Sequence, residues 1–237
     1  MPPTAVPRPA IPPQARAPVG RQPAPVGRVR SSGSAFFITD DGYLLTSRHV
    51  VASANRVVIR TKRGDFPAQV IQSNSDYDIA LLKASGTFRA LPLANSQNVR
   101  LGDGVFTIGF PSPGIQGVEP KFTRGEINSL AGIQDDPRFF QMSVAIQPGN
   151  SGGPLVTPAG SIVGLIAMRL NDMNVLEAVG SLPQNVNYAV KSSCILTFLR
   201  SLPAVASKLK PVQTTGIRRS EDVVKEVEEA VGLVLVY

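Results

Sequence analysis

The chain has 237 residues, 43% of them hydrophobic, with 21 glycines, 21 prolines, one cysteine and a formal net charge of +7. That length suits one large all-β domain or two smaller units, and a single cysteine excludes an internal disulfide framework. No apolar run of about 18 residues or more occurs, so a membrane-spanning helix is not expected.

The charge is unevenly placed. Residues 1–30 hold nine prolines and five arginines (Arg8, Arg16, Arg21, Arg28 and Arg30), and the first acid is Asp40. Such a segment buries too little apolar surface to offset its ordering entropy, and it reads as an extended, disordered tail. The remainder carries 19 basic and 17 acidic residues and is nearly neutral. Spaced arginines without interleaved aromatics mark a solvated tail, so nucleic acid is not an expected partner. No apolar core of about 7–15 residues follows Met1, so no secretory signal is visible.

From Ser31 to Val190 short apolar runs alternate with turns. "SAFFIT" ends at Asp40-Asp41-Gly42 and "YLLTS" follows, which predicts a strand, a hairpin turn and a strand. "RVVIR", "AQVIQ", "DIALLKA", "GVFTIGF", "FTRGEINSL", "FFQMSVAI", "SIVGLIAM" and "NVNYAVK" have strand length and β-rich composition. "RGD", "SPG", "DDP" and "PAG" separate them. The expected class is all-β, barrel or sandwich, with short helical pieces near His49 and after Lys191.

"KSSCILTFLRSL" (191–202) places Cys194, Ile195, Phe198, Leu199 and Leu202 on one helical face, with Cys194 as a small buried hydrophobe. Residues 203–219 read as a loop. Ser220 is expected to cap a helix that has Glu221 and Asp222 in its first turn and Val223, Val224, Val227, Ala230 and Val231 as its stripe. "GLVLVY" is strand-like and uncharged. Unpaired, it would invite aggregation, so it must pair onto the body, onto a partner or onto further sequence.

"PGNSGGPLV" (148–156) matches G-x-S-x-G, a pattern two unrelated hydrolase architectures share. Chain order decides between them. The lone histidine, His49, follows a strand in "GYLLTSRHVV", which holds its ring at the end of a rigid element, as a general base requires. Asp76 is the turn candidate in "DYDIALLKA". Asp78 abuts the buried run Ile79–Leu82, where a carboxylate needs a partner such as an imidazole N–H. An α/β-hydrolase needs a histidine after the serine, and none follows Ser151. A subtilisin order would need Asp40 or Asp41 in a hairpin turn as the acid. His49, Asp78, Ser151 is the order of the two-barrel serine proteases. The Gly149 and Ser151 N–H groups are then the expected oxyanion hole, with Gly149 leaving room for the substrate carbonyl.

With these residues in view, the chain resembles the trypsin-like fold, and in particular the bacterial HtrA/Deg-like serine proteases. "SSGSAFFITDDGYLLTSRHVV", "DIALLKA", "LGDGVFTIGFPSP" and "VAIQPGNSGGPLV" carry the resemblance, which covers about residues 31–200. It implies two six-stranded antiparallel β-barrels with the active site between them. Barrel 1 is expected at about 31–111, barrel 2 at about 119–190 and a helix at 191–202. Residues 203–237 follow as a linker, a helix and an apolar strand-like segment. The family cleaves unfolded or misfolded polypeptides without metal or cofactor, often as trimers, in the periplasm or otherwise outside the cytoplasm. Asn150 stands where digestive enzymes have an aspartate, so activation by N-terminal cleavage is not implied.

The resemblance also implies a first specificity pocket at Ala145 and Ile146. Neither is acidic, which suits a small or medium apolar residue before the scissile bond. Ala167, Met168 and Arg169 would form the strand edge that pairs with substrate backbone. Past residue 202 only 35 residues follow, too few for a PDZ domain, so PDZ-based capture does not carry over. The alternative is a catalytically silent peptide-binding module on the same fold.

Overall fold

The computed structural model describes residues 27–167, 186–212 and 218–237. Most of the expected tail (1–26) therefore lies outside the described residues, as do Met168 and Arg169. The described chain forms two closed six-stranded antiparallel barrels. Barrel 1 uses β1 (Ser31–Phe37), β2 (Tyr43–Ser47), β3 (Val57–Thr61), β4 (Gly64–Asn74), β5 (Ile79–Ala84) and β12 (Val231–Val236). Barrel 2 uses β6 (Gly104–Gly109), β7 (Lys121–Ser129), β8 (Phe139–Met142), β9 (Pro154–Val156), β10 (Ile162–Ile166) and β11 (Asn187–Lys191). Short helices α1 (Arg48–Val51), α2 (Pro113–Gln116) and α4 (Pro203–Ala206) and longer ones α3 (Ser192–Arg200) and α5 (Ser220–Ala230) complete it. Among the described residues no helix is long and apolar enough to cross a membrane.

Period-2 alternation sorts the side chains of each strand between two cores. In barrel 1, Ala35, Phe37, Leu44, Ala80, Leu82, Val234 and Val236 fill the interior. Phe37 stacks on Phe88 there with ring centroids 4.0 Å apart. The alternate residues Phe36, Ile38, Leu45, Leu81, Leu233 and Leu235 face outward. They join Phe106, Ile108, Val156, Leu165 and Val190 of barrel 2 in a seam core, which Ile195 and Leu199 of α3 and Val223 and Val227 of α5 extend. Barrel 2 has its own interior of Ile127, Phe140, Met142, Leu155 and Val163. Both faces of many strands are therefore apolar, which is why the sequence reads as near-continuous hydrophobic runs.

Four expectations are corrected, one of them the loop at 203–219, whose first residues Pro203–Ala206 form α4. "GVFTIGF" is not the end of barrel 1: β6 pairs with β7 and β9, so the chain crosses between barrels in residues 85–103, before the Pro/Gly turn at 111–119. Of the alternatives left open for "GLVLVY", pairing onto the body is the one found. β12 lies between β1, from Ser31↔Val236 to Phe36↔Val231, and β3, from Leu233↔Arg60 to Val236↔Val57, and closes barrel 1. The tail stops short of Arg30, whose N–H donates to the Val236 carbonyl (2.8 Å). Ser220 is the first residue inside α5, and the N-cap is Arg219, which makes no side-chain cap.

Two smaller differences concern barrel 2. β8 stops at Met142, because Ser143 to Asn150 leave the sheet to form the serine loop. Cys194 is only half-buried, with Sγ 3.8 Å from the Arg138 carbonyl. Burial pushes its thiol pKa up, so it sits there as a thiol rather than a thiolate.

Candidate active site

Asp78 ends the turn that leads into β5. Asn74 Oδ1 accepts the Tyr77 N–H (2.8 Å), and the turn leaves Asp78 at φ +51°, a left-handed conformation that aspartate tolerates better than most residues. From there Asp78 grips the start of α1 through three groups. Its carbonyl accepts the Arg48 N–H (2.9 Å). Oδ1 accepts the His49 backbone N–H (2.8 Å), and Oδ2 lies 2.5 Å from His49 Nδ1. A carboxylate only accepts, so the proton sits on Nδ1 and the Nε2 lone pair is left for chemistry. The two side chains are about a third exposed, 32% for His49 and 36% for Asp78. The pair is therefore partly open to solvent and not in the core. Asp76 makes no hydrogen bond to His49 among the described residues; its carbonyl accepts from Arg138 of barrel 2 (3.0 Å).

Ser151 lies in the loop before β9, where residues 147–153 fold back on themselves. The Asn150 N–H donates to the Gln147 carbonyl (3.0 Å) and the Gly152 N–H to Ile166 (2.9 Å). Gly152 has φ +84°, and a Cβ there would strike the Ser34 carbonyl, the Thr46 hydroxyl and the Ser47 amide. The serine loop is thus pressed against β1 and against the strand that delivers His49 two residues later. Ser151 itself is 5% exposed.

The carbonyls around Ser151 are all tied down. Pro148 accepts from the Ser112 N–H (2.7 Å), Asn150 from Gly153 (2.9 Å) and Ser151 from Ser34 (2.9 Å). Gly149 accepts from the Ser34 hydroxyl (2.7 Å). In a trans peptide the N–H points away from its C=O. The Gly149 and Ser151 N–H groups find no acceptor among the described residues and remain open. Gly149 has φ +101°, and a Cβ on it would collide with the Phe110 carbonyl and the Ser112 amide. The glycine is required by the wall behind the loop; the expected reason, room for a substrate carbonyl in front, is not what the backbone contacts show.

The structure brings His49 and Asp78 into direct contact and seats the Ser151 loop beside them, while no hydrogen bond joins the His49 and Ser151 side chains among the described residues. Ala145 is exposed, and its carbonyl accepts from the Thr123 hydroxyl (3.1 Å). Ile146 packs on the barrel 2 interior. The Ala167 N–H is already committed to the Tyr188 carbonyl (3.1 Å), so its C=O is what remains for an incoming strand. Sequence reasoning overlooked Ser34. Ser34 is fully buried, but nothing in "SSGSA" sets it apart from its neighbouring serines.

Comparison with known proteins agrees with the two-barrel fold. The profile of the trypsin-like peptidase domain matches residues 33–165. The chain belongs to the trypsin-like peptidase domain family. A probable periplasmic DegP-like serine endoprotease of Pseudomonas fulva is 39% identical over 161 residues, 66% of this chain and 32% of that protein. The protein y4bJ of Sinorhizobium fredii is 34% identical over 177 residues, 74% of this chain and 28% of that one. This trypsin-like chain thus spans about a third of the length of these relatives. Among solved structures, the HtrA-type protease AlgW with a decapeptide superposes with a TM-score of 0.61 at 29% identity, covering 73% of this chain and 52% of that one. The fold is therefore trypsin-like, and the homology is to DegP/HtrA-like serine endoproteases.

Proposed function

We propose that the chain is a serine endopeptidase acting on unfolded or misfolded polypeptides. In this reading His49 Nε2 takes the Ser151 hydroxyl proton as Oγ attacks the scissile carbonyl carbon. The Gly149 and Ser151 N–H groups receive the oxyanion, and Asp78 stabilises the imidazolium and keeps its tautomer. His49 then passes the proton to the leaving amine. Water, deprotonated by the same ring, hydrolyses the acyl-enzyme and restores Ser151. The observation that carries the reading is the double grip of Asp78 on the His49 backbone and ring. Such a grip has little use for a surface histidine and is what a base of fixed orientation requires.

The non-acidic Ala145 and Ile146 favour a small or medium apolar residue before the scissile bond. The Ala167 carbonyl, with Met168 and Arg169 beyond it, offers backbone pairing to an extended substrate. The decapeptide in the AlgW structure supports a polypeptide as the occupant. The periplasmic description of the Pseudomonas relative supports a location outside the cytoplasm.

Incubation with an unfolded protein such as reduced casein, with mass spectrometry of the products, tests both activity and pocket. The expected result is cleavage after small or medium apolar residues by the wild type and none by Ser151→Ala. Equal cleavage by both proteins, or none by either, overturns the proposal. A second reading, a catalytically silent peptide-binding module, draws on the absence of a Ser151–His49 hydrogen bond. It predicts that peptides bind while casein stays intact. Catalytic hydrogen bonds are often long in unliganded enzymes and tighten on binding, which favours the first reading.

A further inference from the structure

We infer that Ser34, a residue of barrel 1, is a positioning residue for the oxyanion hole of barrel 2; this rests on the proposed peptidase reading. Ser34 has no exposed surface, yet all of its polar groups are engaged. Its N–H donates to the Ser151 carbonyl (2.9 Å). Its carbonyl accepts from the Thr46 hydroxyl (2.7 Å). Its own hydroxyl donates to the Gly149 carbonyl (2.7 Å) and accepts from the Phe110 N–H (2.9 Å). Two of these four bonds therefore fall on carbonyls of the residues whose N–H groups form the hole.

The arrangement has a mechanical consequence. The two open N–H groups belong to the peptides 148–149 and 150–151, and the peptide between them, 149–150, presents its carbonyl to the Ser34 hydroxyl. If that carbonyl were released, it could rotate about the flanking bonds, and positive φ at a glycine resists such a flip only weakly. A flip of the middle peptide moves both neighbours and spoils the convergence of the two donors. The Ser34 hydroxyl blocks that motion. It is itself held from the other side, because the Phe110 N–H fixes its lone pair and leaves its proton aimed at Gly149. Thr46 ties the same residue to the strand that delivers His49. One residue thus couples the strand of the base and the carbonyl of the nucleophile through its backbone, and the peptide between the hole donors through its hydroxyl.

Space around Ser34 explains why the group must be small. A Cβ on Gly109 would stand 2.9 Å from the Ser34 hydroxyl and one on Gly153 would stand 3.3 Å from the Ser34 Cβ. Serine supplies one donor and one acceptor in that space and nothing larger fits without movement. Alanine there would leave the buried Phe110 N–H and the Gly149 carbonyl without their partner, so the hole would lose its stop while the barrels kept their apolar cores.

Removing a hole donor outright typically costs about 10²–10³ in turnover; Ser34 acts one bond away. Ser34→Ala is therefore expected to lower kcat and the fluorophosphonate acylation rate about 10- to 100-fold, with KM within about twofold. The deciding readout is a peptide boronate, whose tetrahedral adduct uses the hole, against the same peptide without boron measured in the Ser151→Ala background. Boronate affinity should fall by the same factor as kcat, and affinity for the plain peptide should not change. Ser34→Cys keeps a weaker donor on a slightly larger side chain, at the cost of a small local movement, and should lie between wild type and Ser34→Ala, which covers the case in which the alanine variant fails to fold. A folded Ser34→Ala or Ser34→Cys that binds boronate and reacts as wild type does, or that loses plain-peptide binding to the same extent, overturns the inference alone. A wild type that never reacts overturns the peptidase reading and this inference with it.

Discussion

The two barrels have the same strand number and a common seam, but they are assembled differently. Barrel 2 is built from residues 104–191 in one stretch, whereas barrel 1 is complete only when β12, residues 231–236, enters between β1 and β3. Ser151 comes from the self-contained barrel, and His49 and Asp78 come from the one that depends on a distant strand. β12 is buried along its whole length, and its Val231, Leu233, Val234, Leu235 and Val236 enter both the barrel interior and the seam. At about 1.5–3 kcal/mol per buried side chain, these five bring in about 10 kcal/mol, comparable with the net stability of a whole domain. The barrel that carries His49 and Asp78 is therefore the half expected to respond more to loss of that strand.

That asymmetry is open to direct attack. Deleting residues 218–237 should give the largest effect. Barrel 1 would expose the unpaired edges of β1 and β3, fluorophosphonate labelling should be lost, and hydrogen exchange should accelerate in β1, β3 and α1 before it does in β7 and β8. Uniform acceleration of both barrels would erase the distinction. Asp78→Asn comes next. It keeps the shape but loses the acceptor that sets the imidazole tautomer, so the turnover number should fall about 10³–10⁴-fold with little change in thermal midpoint.

A smaller effect concerns the ion pairs that hold α5 to the body. Glu226 is desolvated, which acts to raise its pKa, but Arg218 (2.6 Å) and Arg89 (2.8 Å) outweigh this and hold its carboxyl below the usual range. A carboxyl with a depressed folded pKa contributes stability that is present above its unfolded pKa and lost as pH falls through the folded value. Acidification below about pH 4 should therefore loosen α5 and β12, and Glu226→Gln should flatten that dependence when read by exchange in residues 220–236. No difference between the two proteins in acid would remove these pairs from the account.

The smallest effect belongs to barrel 2. Thr107 Oγ1 is buried without a hydrogen-bond partner among the described residues. Thr107→Val should thus be neutral or stabilise by up to about 1 kcal/mol in chemical denaturation. A loss of several kcal/mol would mean that the hydroxyl has a partner after all.

Much of this was legible in the chain, for identifiable reasons. Strands could be read because runs such as Ile79–Leu82 are apolar on both faces, one toward a barrel interior and one toward the seam. His49, Asp78 and Ser151 could be proposed together because each triad architecture has its own chain order, and a lone histidine ahead of the serine fits only the two-barrel one. β12 could be read as a strand but not assigned a partner, because its pairing joins residues about 200 apart and local pattern carries no such information. β6 was placed in the wrong barrel because turn chemistry is loudest at 111–119, while the real crossing runs through residues 85–103 with little regular structure. Ser34 stayed hidden because its hydrogen-bond partners lie 76 and 115 residues away, and in "SSGSA" a serine reads as turn filler.

The central claim is that groups from the two barrels act as one unit across the seam. Intact-protein mass spectrometry of fluorophosphonate labelling measures it directly, with the site read by peptide mapping in wild type and in His49→Ala. The account predicts one adduct per chain, on Ser151, formed by the wild type and nearly absent from a folded His49→Ala. An adduct on another residue, or labelling of Ser151 that proceeds equally well without His49, would contradict it.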